Sequence, residues 1–164
     1  MQSLSSSGRH IECRLFEATQ LEINMSETRN YWLAGAMFGG NDDKLPEFIE
    51  RGYWYCWEKN AEKTASSGAQ GNSVEVQQDR FTKIRPGDRL AIKKIMSIAD
   101  QKMEIRAIGI IKAVDFDEWR VYVNWLPIIS PEFPARIVDL KGVVSSLHGP
   151  YQQSDPWIQE IFCA

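Results

Sequence analysis

Pro86-Gly87-Asp88-Arg89-Leu90-Ala91-Ile92-Lys93-Lys94-Ile95 is the stretch from which the fold is read. Proline favours an early position of a tight turn and glycine follows it, so residues 86–88 form a turn. The apolar run behind it predicts a strand over 89–95. A long strand over 103–115 comes next, and Asp117-Glu118 separates it from a third over 120–126. In that third strand Val121, Val123 and Trp125 alternate with Tyr122 and Asn124, the period of a strand with two unlike faces. The three strands form a meander.

Upstream, Tyr31 to Ala36 extends an aromatic and apolar run from Asn30, read as the first strand. Gly39-Gly40-Asn41-Asp42 breaks it as a turn. Asp42 or Asp43 caps a short helix over 44–51 that places Leu45, Phe48 and Ile49 on one face, and Gly52 stops it. Tyr53 to Trp57 is a short aromatic strand or turn. Residues 61–73 are rich in Ala, Ser, Gly and Thr and read as a loop, followed by one or two helical turns over 76–84. Downstream, a proline-punctuated connection spans 127–134. A short strand covers 137–140 and Gly149-Pro150 is a further turn. Asp155 caps a final helix with Pro156 in its first turn and Trp157, Ile158, Ile161 and Phe162 along it. Strands outnumber helices without βαβ alternation, which excludes a doubly wound parallel sheet. The expected class is α+β: a small mixed β-barrel with short flanking helices over 30–164, behind an N-terminal tail over 1–29. Met25 resembles a second start, so 1–24 is read as a dispensable extension.

The chain has 164 residues, 43% of them apolar and 25% charged, an ordinary globular mixture. One core of this size buries roughly 70% of the surface of the unfolded chain. No apolar run approaches the ~18 residues of a membrane span, and the start carries no hydrophobic signal core. The three cysteines, Cys13, Cys56 and Cys163, lack metal-like spacing and read as reduced cytosolic thiols. The expected setting is cytoplasmic.

Charge is uneven. Residues 80–112 hold nine Lys/Arg against three acids, a +6 segment in a chain of net charge −3. The remainder is therefore −9. Lys83, Arg85, Arg89, Lys93 and Lys94 surround the 86–88 turn, and Arg85, Arg89, Lys93 and Lys94 are the candidate contacts to a phosphate backbone.

Catalytic patterns are missing. There is no P-loop after Gly39-Gly40 and no Gly-x-Ser-x-Gly elbow. His148, in Ser145-Ser146-Leu147-His148-Gly149-Pro150, reads as a hydrogen-bonding residue, because triad members meet through the fold and not at two- or three-residue spacing. Cys56, between Tyr55 and Trp57, reads as a buried thiol. No cofactor and no metal site is expected, and the chain reads as a binding module, not an enzyme. Six tryptophans are the stronger signal. Trp119 and Trp157 read as packing. Trp32, Trp54 or Trp57, and Trp125 are expected to converge as an aromatic cage around a flat ligand, with hydrogen bonds from near Gly35 or from Asn30.

Taken together, Tyr31-Trp32-Leu33-Ala34-Gly35-Ala36, Phe38-Gly39-Gly40-Asn41-Asp42, Gly52-Tyr53-Trp54, Pro86 to Lys93, Ala107-Ile108-Gly109-Ile110, Val121 to Trp125 and Trp157 to Phe162 resemble the EVE-like modules of the PUA superfamily. The likeness is greatest to the DNA-recognition module at the front of McrB-type modification-dependent restriction systems. The resemblance implies a PUA-like barrel whose pocket receives a flipped, modified base of DNA. It implies a pocket of Trp32, Gly35, Phe38, Trp54, Trp57 and Trp125. It also implies an AAA+ motor and a nuclease as partners, acting in defence against foreign DNA. RNA binding is the alternative, and a small ASCH-like hydrolase a more distant one.

Overall fold

The computed structural model describes residues 28–58, 60–63, 73–126 and 136–163. The tail expected over 1–29 lies outside them except for residues 28 and 29. Residues 64–72 of the expected loop and the connection over 127–134 also lie outside.

Nine strands and three short helices are found among the described residues. The strands are β1 (Tyr31–Gly35), β2 (Met37–Phe38), β3 (Asp42–Asp43), β4 (Tyr53–Tyr55), β5 (Arg89–Ser97), β6 (Lys102–Asp115), β7 (Arg120–Leu126), β8 (Arg136–Asp139) and β9 (Leu147–Tyr151). The helices are α1 (Leu45–Arg51), α2 (Val74–Thr82) and α3 (Pro156–Cys163). Seven strands make one curled sheet in the order β4-β7-β6-β5-β1-β9, with β8 added beside β6, so the molecule is a mixed α+β fold built on a half-barrel. The expected β5-β6-β7 meander is present and antiparallel. β1 joins it in parallel alongside β5, Tyr31 opposite Arg89 and Gly35 opposite Lys93.

The curl has a local cause. Register shifts fall between Ile92 and Lys93, between Ile95 and Ser97, and between Ile111 and Ala113. An inserted residue bends a strand and increases its twist.

Alternation then sorts β1 between two cores. Trp32 and Ala34 face the concave side with Leu90, Ile92, Phe48, Trp54 and Phe81. Tyr31 and Leu33 face the convex side, where α3 packs through Trp157, Ile158, Ile161 and Phe162. Covering on both sides explains why all of residues 89–93 are buried, whereas the rest of β5 alternates.

Local chemistry sets the helix ends. Gly52 terminates α1 at φ 69°, a left-handed conformation that favours glycine, and its N–H donates to the Phe48 carbonyl. Lys44, not Asp42 or Asp43, holds the N-cap position of α1; the Asp43 carboxylate accepts from Leu45 N–H and takes two bonds from Arg106. Ser73 caps α2 by accepting from Val76 N–H, so that helix starts and ends two residues earlier than expected. Asp155 accepts from Trp157 N–H, the expected cap of α3. Gly149-Pro150 is not a turn: a cis peptide bond carries it through β9. Cys56 is a free thiol, but Cys163 is disulfide-bonded, which corrects the expectation of three reduced thiols. No helix among the described residues is long and apolar enough to cross a membrane.

Candidate functional site

The 86–88 turn is a structural joint. Gly87 sits at φ 92°. Asp88, 3% exposed, points its carboxylate inward and accepts from Asn30 N–H at 3.0 Å, Trp32 Nε1–H at 2.9 Å and Arg85 N–H at 3.0 Å. Three donors around one buried carboxylate satisfy its charge. They also tie β1 to the start of β5.

This bond fixes Trp32, and Gly149 closes over it. A Cβ on Gly149 would lie 2.6 Å from the Trp32 ring and 2.9 Å from the Tyr31 carbonyl. Trp54 is equally enclosed: Nε1–H donates to the Gly35 carbonyl at 2.9 Å, and the ring stacks on Phe81 at 6.5 Å. Both indoles are fully buried, so neither presents a face to a ligand. That corrects the expectation of an open cage built on them. They are core residues, and Trp32, Trp54, Phe38 and Trp125 belong to, or pack against, the same concave core.

Trp125 is half-buried and donates to the Phe48 carbonyl at 2.9 Å. Its ring lies over Gly109, where a Cβ would meet it at 2.9 Å and Val123 at 2.3 Å. Phe38 is half-buried, its ring edge-on to Tyr55. Trp57 is buried against Trp119, which packs in turn on Phe81. Partly open aromatic surface therefore lies on Phe38, Trp119 and Trp125, and on the exposed Phe116.

The four candidate phosphate contacts, Arg85, Arg89, Lys93 and Lys94, differ in exposure. Arg85, ahead of β5, and Lys94, in the middle of it, are exposed, whereas Arg89 and Lys93 are buried. Arg89 Nη1 donates to the Gly87 carbonyl at 2.6 Å. Burial, then the nearby Arg29 charge, draws the Arg89 guanidinium down to about 10. Arg106, Lys83 and Lys102 are paired with Asp43, Asp79 and Asp139. The +6 segment is thus divided among ion pairs, buried cations and scattered exposed ones.

One group of cations differs, and only the fold assembles it. α2 lies against β9, presenting Gln77 and Arg80 three residues apart. Gln77 Oε1 accepts from Leu147 N–H at 2.9 Å. Arg80 Nη1 donates to the Leu147 carbonyl at 2.7 Å and to Ser145 Oγ at 3.1 Å. From β5, Lys93 Nζ donates to the Ser145 carbonyl at 3.0 Å. His148 Nε2 accepts from Ser145 N–H at 3.0 Å and is in close contact with the Ser145 hydroxyl. Gly35 N–H donates to the Ser146 carbonyl at 2.9 Å, and the Cys56 thiol is bonded to the Ser146 side chain.

Electrostatics follow from this geometry. Burial pulls the Lys93 ammonium down to about 8. Burial, with the positive charges of Arg80 and Lys93, holds the His148 imidazole down at about 3, so it is neutral at ordinary pH. A neutral ring accepting at Nε2 carries its proton on Nδ1. Burial pushes the Cys56 thiol up to about 11, which leaves it unreactive as a thiolate. Among the described residues, Arg80 and Lys93 bond to carbonyl and hydroxyl oxygens. No cluster of metal-ligating side chains is present among the described residues.

Gln77, Arg80 and Ser145 are absent from the site expected from sequence. Their signal is a glutamine and an arginine at i and i+3 on a helix whose neighbouring Phe81 is core, a spacing that puts two polar groups on one inward stripe. Comparison of the chain with family models, with curated proteins and with solved structures gives no match.

Proposed function

We propose that this chain is a cytoplasmic nucleic-acid-binding module, of the PUA-like, EVE type its motifs resemble, that recognises a modified base in DNA. The base is flipped from the duplex, as a reader of one nucleotide requires. In this reading a motor and a nuclease lie in another domain or partner, and the chain itself is not an enzyme.

The observation that carries the reading is the cluster of Arg80 and Lys93 beside neutral His148, with no carboxylate bonded to either cation among the described residues. Buried charges are ordinarily paired. A cationic group set without an acid favours a polyanion or an acceptor-rich edge. Aromatic residues are linked to the cluster through α2, which carries both Arg80 and Phe81, and Trp54, Trp119 and Phe116 pack on Phe81. The partly open rings available to stack a base are Phe38, Trp119 and Trp125. Trp32 and Trp54 belong to the core on which these rings pack.

Binding to methylated duplex, unmodified duplex and an RNA hairpin over a range of salt is the test. The expected result is about tenfold preference for the modified duplex, a 1.4 kcal/mol difference, with affinity falling as salt rises. Equal, salt-insensitive binding to all three overturns the proposal, and preference for the hairpin replaces it with RNA recognition. Arg80→Gln is the informative variant. Trp32→Ala is not, because it removes a core residue.

A further inference from the structure

We infer that Gln77, Arg80 and Lys93 form a subsite for an anionic oxygen group, a carboxylate or a phosphate, on the ligand of the proposed module. The inference rests on that reading and names what the site takes.

Donor arithmetic comes first. An ammonium has three N–H donors and a guanidinium five. Lys93 uses one on the Ser145 carbonyl, and Arg80 uses two on Ser145 Oγ and the Leu147 carbonyl. Gln77 is 2% exposed, and its Nε2 has no hydrogen-bond partner although Oε1 is bonded. His148 Nε2 is occupied by Ser145, so the ring offers only its Nδ1–H. Among the described residues, the cluster has more donors than acceptors, and no carboxylate belongs to it.

Charge points the same way. Several cations elsewhere are paired with acids: Lys44 faces Asp42, Glu47 and Glu58, and Arg106 grips Asp43. Among the described residues, Lys93, 4% exposed, and Arg80 meet neutral oxygens. An oxyanion supplies the missing charge and accepts from several donors at once, which a neutral methylated ring edge does not. Arg80 and His148 are half-buried, whereas Lys93 and Gln77 are buried.

A carboxylate on the base and a phosphate of the nucleotide share this chemistry, and the experiment separates them. Calorimetric titration of the full chain uses three duplexes: 5-carboxylcytosine, 5-methylcytosine and unmodified cytosine. Inorganic phosphate is titrated alone at constant ionic strength. The expected result is about tenfold tighter binding of the carboxyl duplex than of the methyl duplex, falling to about twofold or less in Lys93→Met and retained in Lys112→Gln. Equal binding of the two modified duplexes, with competition by inorganic phosphate that Lys93→Met abolishes, assigns the subsite to phosphate and supports the inference. Duplex binding with no carboxyl preference and no phosphate effect overturns the inference and leaves the nucleic-acid reading standing. Phosphate binding lost in Lys93→Met, with no duplex bound, does the reverse. Circular dichroism checks the fold, and Arg80→Lys, which keeps charge but loses the planar fork, gives an independent reading: carboxyl preference unchanged in it counts against the subsite.

Discussion

Two buried charges sit near opposite ends of the same buried stretch of β5. Asp88 precedes it and Lys93 closes it, and both are under 5% exposed. Asp88 is met by three N–H donors from three different residues. Lys93 is met by one carbonyl oxygen. A charge surrounded by fixed donors holds a fold together. A charge with a single neutral partner costs stability that some other gain must offset. The difference separates a joint from a site, although both residues lie in the same sequence motif.

The largest expected effect breaks the joint. Asp88→Ala leaves three donors without an acceptor and is expected to lower stability by about 3–5 kcal/mol in chemical denaturation. A cost under about 1 kcal/mol removes Asp88 from that role.

Lys93→Met is expected to go the other way. A shift of the ammonium from 10.5 to about 8 corresponds to roughly 3 kcal/mol against the buried cation at pH 7. Losing the partner of the Ser145 carbonyl returns about 1–3 kcal/mol. The variant is therefore expected to be as stable as wild type or up to about 2 kcal/mol more so, while its ligand binding falls. Destabilisation by more than about 2 kcal/mol makes Lys93 a second joint.

pH sharpens the comparison. Between about 8 and 10.5 the unfolded chain holds the Lys93 proton and the folded chain does not. Stability from this group therefore rises across that window, is fully present above 10.5 and is lost as pH falls through about 8. Lys93→Met is expected to lack this rise in urea midpoints at pH 8, 9 and 10. His148 acts in the same sense lower down: its contribution is present above 6.5 and is lost as pH falls toward about 3, because the unfolded imidazole protonates first. The acid limb of the stability curve is expected to be shallower in His148→Asn.

The smallest effect is expected at Lys112, exposed on β6. Lys112→Gln is expected to change stability by no more than about 0.5 kcal/mol.

The amino-acid order alone determined the elements that depend on neighbours in the chain. The β5-β6-β7 meander follows from runs and breaks, the end of α1 from Gly52, and the start of α3 from Asp155 and Pro156. Each rests on contacts a few residues apart, or on an alternation that survives any arrangement of the sheet. The parallel β1-β5 pairing, the continuation of β9 through Gly149-Pro150 and the burial of residues 89–93 needed the whole fold. A strand shows one exposed face unless something covers it, and here the concave core and α3 cover both. The tryptophans divide for the same reason. Their count marked them as important, but only closure of the sheet enclosed Trp32 and Trp54 and left Trp125 partly open. The cluster of Gln77, Arg80, Lys93, Ser145 and His148 was beyond local reading, because α2, β5, β9 and the residues just before β9 contribute to it from positions up to 71 residues apart. The sequence placed positive charge in that region, and tertiary structure decided which cations pair with a carboxylate and which two gather around Ser145.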